Sequence, residues 1–100
     1  MTVTNEPGYY EDGAFGIRIE NILIVKEVKT DFNFGGKPYY GFENVTVVPL
    51  CRNLIDTSLL GPEEKLWINT YHKECYDKVY PLLDKNGLAA KYLKRETQPF

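Results

Sequence analysis

Four residue types are scarce in this chain of 100 residues, which holds two cysteines, one histidine, one tryptophan and one methionine. Cys51 and Cys75 lie far apart and form no CxxC pattern, so they read as buried or idle thiols in a reducing compartment rather than as a disulfide. The single histidine, His72, shares a helical face with Cys75, but a zinc site needs two more ligands and the sequence offers none. His72 is therefore expected to pack or to sit on the surface. No apolar run approaches the roughly 20 residues that span a bilayer, and no secretory signal pattern opens the chain. A formal net charge of −2 leaves no electrostatic basis for binding nucleic acid or a membrane surface. Neither an internal repeat nor a low-complexity tract is present.

What remains is globular in character, with 43% hydrophobic and 26% charged residues. The length suits one domain or part of one, able to bury roughly two-thirds of its unfolded surface. Eight of the residues are tyrosine. Tyrosine joins a large apolar body to a polar tip and so suits partly wet packing and interfaces. Asn44-Val45-Thr46 has the form of a glycosylation sequon, which carries no weight without a secretory signal.

The first 50 residues read as strands. Thr2–Glu6 alternates and is broken by Pro7-Gly8, and Glu11-Asp12-Gly13 marks a turn. Phe15 to Val28 reads as one strand, with Ile17, Ile19, Leu23 and Val25 on one face and Ile22 and Ile24 on the other, a pattern expected of a strand covered on both sides. Thr30 to Tyr39 reads as a loop, Phe42 to Leu50 as a further strand ending at Pro49, and Leu54 to Asp56 as a few extended residues. The pattern turns helical at Gly61. Leu60 is a staple residue, Gly61 the N-cap, Pro62 the first helical position, and Glu63 and Glu64 face the positive end of the helix dipole. Leu66, Trp67, Tyr71, Cys75, Val79, Leu82 and Leu83 recur at helical spacing, with Gly87 as a C-terminal cap and Pro81 as a kink or break. Leu88 to Arg95 reads as a shorter helix with Leu88, Ala89, Tyr92 and Leu93 on its apolar side. The fold class is thus α+β, antiparallel strands followed by a helical segment.

Two carboxylates stand out. If the strand ending at Glu6 pairs with the one containing Glu20, the two side chains converge on one face. Arg18, two residues before Glu20, points the same way and favours an ionised carboxylate by proximity. Paired carboxylates can bridge two hard divalent cations. By spacing alone, a surface hairpin with merely solvated acids stands as the plainer reading.

The runs Glu6-Pro7-Gly8-Tyr9-Tyr10 and Gly16-Ile17-Arg18-Ile19-Glu20-Asn21 resemble the last two metal-ligand segments of the Xaa-Pro aminopeptidases of the pita-bread metallopeptidase family. The likeness continues through Val45-Thr46-Val47-Val48-Pro49, the stretch from Trp67 to His72, and Arg95-Glu96-Thr97-Gln98-Pro99. This resemblance implies that Glu6 and Glu20 ligate a dinuclear centre of divalent metal ions, usually manganese. It also implies that Arg18 and Tyr10 surround the site and orient a ligating carboxylate, forming with Glu6 the catalytic group. The substrates it implies are peptides with proline in second position. It further implies a cytoplasmic, homo-oligomeric enzyme with no nucleic-acid or membrane partner. The family's centre also needs two aspartates and a histidine from upstream sequence, and further histidines for substrate, none of which this chain contains.

The expectation is therefore the carboxyl-terminal part of such an enzyme. Residues 1–38 would form the last metal-ligand hairpin and strand of the peptidase domain, and residues 39–100 a carboxyl-terminal extension that contributes to dimerisation. A non-catalytic interaction module remains the alternative from another class, and a small unrelated α+β binding protein a third.

Overall fold

A computed structural model describes residues 1–100, which form two compact units, Met1–Thr46 and Val47–Phe100. The first unit holds strands β1 (Thr2–Asn5), β2 (Gly8–Glu11), β3 (Phe15–Arg18), β4 (Asn21–Val28) and β5 (Tyr39–Asn44). A three-stranded antiparallel sheet has the order β1-β4-β5, while β2 and β3 pair separately. The α+β class is as the sequence indicates.

Phe15 to Val28 is not one strand. Ile19 and Glu20 interrupt it, so that β3 pairs with β2 and β4 with β1 and β5. The register nevertheless continues without an inserted residue from Thr2↔Ile24 through Asn5↔Asn21 and Gly8↔Arg18 to Glu11↔Phe15. From Thr2 to Ile24 the chain is one two-stranded ribbon folded back at Asp12-Gly13-Ala14, with β5 added along the other edge of β4. Ala14 N–H donates to the Glu11 carbonyl at 3.1 Å, and Gly13 takes φ 71°, a left-handed conformation that side chains disfavour. β2 escapes a reading by alternation because its Tyr-Tyr-Glu run is exposed on both faces.

The strand expected from Phe42 to Leu50 begins earlier, at Tyr39, and ends at Asn44. Its end has a definite cause. Ile22 N–H donates to the Thr46 hydroxyl at 2.8 Å, so a side chain takes the place of the next carbonyl in the ladder. No residue of this unit is fully buried, and Ile22 and Ile24 are 41% and 40% exposed, so the coverage expected on both faces of β4 is not supplied.

The second unit holds α1 (Pro62–Val79) and α2 (Leu88–Glu96). Of the stretch from Leu54 to Asp56, Ile55 and Asp56 are extended as expected, while Leu54 ends a 3-10 turn (Arg52–Leu54). A second 3-10 turn (Thr57–Leu59) follows, closed by Asp56 accepting from Ser58 N–H at 3.0 Å. Gly61 caps α1 with Pro62 at its start and Glu63 and Glu64 in the first turn. Pro81 ends α1, which gives way at Tyr80–Leu82 to a 3-10 turn, because proline has no N–H to continue the ladder.

Gly87 is not a C-terminal cap. It takes φ −82° and ψ 165° and is the N-cap of α2. The preceding turn is built instead by Asp84, whose carbonyl accepts from Gly87 N–H at 2.9 Å and whose side chain accepts from Asn86 N–H at 3.0 Å.

The buried stripes are also displaced from the expected ones. α1 buries Ile68, Tyr71, His72 and Cys75 while Leu66 and Trp67 are exposed. α2 buries Ala90, Leu93 and Glu96 while Leu88 is 84% exposed. Glu96 is tolerated inside because it accepts a hydrogen bond from Arg52 N–H at 3.3 Å and pairs with Arg95 at 3.1 Å.

His72 is fully buried and ties the segment before the first 3-10 turn to α1: its Nε2 accepts from Leu50 N–H at 3.0 Å. Beside it, the Tyr71 hydroxyl donates to the Val48 carbonyl at 2.8 Å. A Nε2 that accepts places the proton of neutral imidazole on Nδ1, which is buried without a partner. Burial lowers the His72 pKa from 6.5, the nearby Arg52 lowers it further, and Glu96 opposes both. Folded His72 thus binds fewer protons than unfolded His72, so its contribution is complete above pH 6.5 and is lost as pH falls below that value. We predict that this unit loses stability on acidification below that pH, read by thermal melts. The substitution His72→Phe should flatten that dependence and cost about 1–3 kcal/mol at neutral pH, because Leu50 N–H loses its acceptor. An unchanged pH profile in His72→Phe would contradict this.

Candidate metal centre

Carried one residue beyond Asn5↔Asn21, the register sets Glu6 opposite Glu20. Two backbone bonds fix what kind of position this is. Ile19 N–H donates to the Pro7 carbonyl at 3.0 Å and Val25 N–H to the Met1 carbonyl at 2.9 Å, marking 7↔19 and 1↔25 as hydrogen-bonded pairs. Glu6 and Glu20 therefore occupy a non-hydrogen-bonded position, where opposed Cα atoms come to about 4.5 Å and side chains lie closest. Thr4, Glu6, Gly8 and Tyr10 share their face with Gly16, Arg18, Glu20 and Ile22, since side chains alternate along each strand.

Opposed like charges destabilise a strand pair, and the neighbouring side chains soften that cost. Arg18 Nη1 lies 3.7 Å from Glu6 Oε1, with both side chains about half exposed. Such a pair is worth at most about 1 kcal/mol. Thr4 donates its hydroxyl hydrogen to Glu6 Oε2 at 3.0 Å, and Arg18 Nε donates to the Tyr10 hydroxyl at 2.8 Å. Arg18 is held more firmly protonated than an ordinary arginine, first by its bond to Tyr10, then by the fields of Tyr10, Glu6 and Glu20. On the opposite face Tyr9 donates to Glu11 at 2.8 Å and its ring lies 6.0 Å from that of Phe15.

All four residues singled out from the sequence, Glu6, Tyr10, Arg18 and Glu20, thus share one face of the ribbon. Thr4 was missed, although its place two residues before Glu6 on the same strand was legible. His72 and Cys75 sit in the second unit's core, and no three histidine, cysteine or acidic side chains are grouped so that they could hold a metal ion.

The donor chemistry fits hard divalent cations, which prefer carboxylate oxygens. The donor count is short. Two carboxylates offer at most four oxygens, fewer than two ions of five or six ligands each require. These residues fit as part of a dinuclear centre.

A model of the family described as the C-terminal region of peptidase M24 matches residues 38–100. The chain belongs to this family. Relatives named "Probable Xaa-Pro aminopeptidase P" from Tuber melanosporum and from Coprinopsis cinerea are each 62% identical over 99 residues, covering 99% of this chain and 16% of the relative. One from Leptosphaeria maculans is 60% identical over 98 residues. Among solved structures, the X-prolyl aminopeptidase of Caenorhabditis elegans superposes with a TM-score of 0.78 at 33% identity, covering 99% of this chain and 16% of its own. It is described as a cytosolic enzyme with a di-nuclear active site. This M24 C-terminal chain therefore spans 16% of the length of these relatives.

If the opposed carboxylates repel, Glu20→Gln should stabilise the chain when divalent ions are chelated. We expect the urea midpoint to rise by about 0.2 M, the shift that a few tenths of a kcal/mol produces at typical slopes. A fall in the midpoint would contradict the placement.

Proposed function

We propose that this chain supplies Glu6 and Glu20 as ligands to the dinuclear centre of an Xaa-Pro aminopeptidase, a metallopeptidase that removes the residue preceding a proline from a peptide's amino terminus. One observation carries the reading: two carboxylates opposed at the closest cross-strand position, flanked by Arg18, in a chain 62% identical to aminopeptidase P relatives. The remaining ligands come from residues this chain does not contain.

When bound, the two divalent ions, manganese in our reading, supply polarisation of the scissile carbonyl and activation of water. The chain's own residues prepare that site. Arg18 sets a positive charge 3.7 Å from Glu6 Oε1, and Thr4 restrains the carboxylate by its second oxygen. Glu6 is the group we assign to proton movement, since a carboxylate within reach of water can accept and return a proton. Tyr10 acts through Arg18, holding its Nε. The description of the Caenorhabditis elegans enzyme as cytosolic supports a cytoplasmic location, and no helix here is long and apolar enough to cross a membrane.

A second role falls to residues 39–100, which we assign to homodimerisation. Tyr40, Phe42, Leu66 and Trp67 are all more than half exposed, and large aromatic residues are favoured anchors at protein contacts. Sedimentation at micromolar concentration should show a dimer or larger species, and a clean 11.6 kDa monomer would refute this part.

The catalytic reading is tested by transplantation. The isolated chain should not turn over an Xaa-Pro peptide, even with manganese. The Tuber melanosporum relative carrying this chain in place of its matching segment should be active, and Glu6→Ala or Glu20→Ala in that chimera should cut activity by at least about 100-fold. Full activity in either chimera variant, or turnover by the isolated chain that Glu20→Ala abolishes, would overturn the assignment.

A further inference from the structure

Tyr10 is 57% exposed, yet its ring has a definite place. The reason lies beneath it. A Cβ added at Gly16, its cross-strand partner, would stand 2.6 Å from Tyr10 Cδ1 and 3.2 Å from Cε1. A Cβ added at Gly8 would stand 2.5 Å from the Tyr10 hydroxyl oxygen and 2.8 Å from Cζ. The ring therefore lies down across the ribbon, its near edge over Gly16 and its hydroxyl over Gly8. Gly8 is in turn the cross-strand partner of Arg18, so the hydroxyl arrives at Arg18 Nε, 2.8 Å away. Neither glycine has a positive φ, so backbone freedom does not explain them. Glycine within a strand is otherwise a cost, since it loses more entropy and packs nothing.

We propose that Gly8 and Gly16 are positioning residues: they form a slot without side chains that lays the Tyr10 ring flat and thereby fixes the Arg18 guanidinium beside Glu6. The consequence for the site follows from the guanidinium's shape. An untethered arginine meets carboxylates through two parallel N–H groups, often Nε with a terminal nitrogen. Between Glu6 and Glu20 it would serve as an internal cation and compete with a metal ion for both carboxylates. With Nε engaged by Tyr10, the guanidinium approaches Glu6 by Nη1 at 3.7 Å and both glutamates stay open to a cation. This last step rests on the metal-ligand reading above, while the slot itself stands on geometry.

Two metal-free measurements on the full chain test the slot, so they hold or fail independently of the ligand reading. In ¹⁵N spectra, the Arg18 Nε–H signal should be shifted and protected in the parent chain. It should move to the free-arginine position and exchange about tenfold faster in Gly16→Ala and in Tyr10→Phe, as expected for one lost hydrogen bond. Gly16→Ala should also lower stability in the parent background but be neutral or stabilising in a Tyr10→Ala background, where no ring remains to collide. This pairwise readout survives even if the single variant unfolds. An unmoved Arg18 signal in Gly16→Ala, or the same loss of stability in both backgrounds, would overturn the proposal.

Discussion

An antiparallel register that runs from Thr2↔Ile24 to Glu11↔Phe15 without slippage governs the first unit and everything proposed for it. Side chains alternate along a strand, so a slip of one residue would move Glu6 to the face opposite Glu20. Kept in phase across the break at Pro7 and Ile19, the register brings two carboxylates, one arginine, one tyrosine and two glycines to a single face. The turn at Gly13 and the bond from Ile19 to Pro7 hold it in phase on one side of the two glutamates, and the bond from Val25 to Met1 on the other.

Opposed glutamates are a poor choice for stability, and that is the informative part. A strand pair selected for stability alone would place a lysine or a threonine opposite one of them. The neighbouring Arg18 and Thr4 moderate the repulsion without cancelling it, since the ion pair is half exposed and single-contact. Local choices that work against stability are expected where a site binds something. The second unit shows the opposite economy. Its one buried carboxylate, Glu96, accepts from Arg52 and pairs with Arg95, and its one histidine is buried neutral and bonded to Leu50.

Much of this was legible in the sequence where a rule of short range applied. The two-residue spacing of Arg18 and Glu20 fixed a shared face, Gly61-Pro62 marked the start of α1, and Pro81 marked its end. The failures occurred where partners distant in sequence decided the outcome. Nothing between Phe15 and Val28 signals a change of sheet, because apolar residues continue through Ile19. The end of β5 depends on Thr46 reaching Ile22, a contact spanning half the unit. The buried stripe of α2 includes Glu96 because Arg52 waits for it, while Leu88 lies outside. Gly87 was misplaced because glycine serves at either helix end, and only its φ of −82° distinguishes the two. The roles given to Glu6 and Glu20 came from resemblance, since spacing alone favoured solvated acids.

Cross-linking tests most directly whether the register sets the two carboxylates side by side. A disulfide requires Cα atoms within about 4.4–6.8 Å and converging side chains, conditions that a non-hydrogen-bonded cross-strand pair meets. With Cys51 changed to serine, Glu6→Cys combined with Glu20→Cys should oxidise quantitatively within one chain under mild oxidant, as mapped by peptide mass. Glu6→Cys combined with Ile19→Cys should remain reduced, because position 19 faces the other way. A failure to link positions 6 and 20, or preferential linking of 6 with 19, would contradict the account.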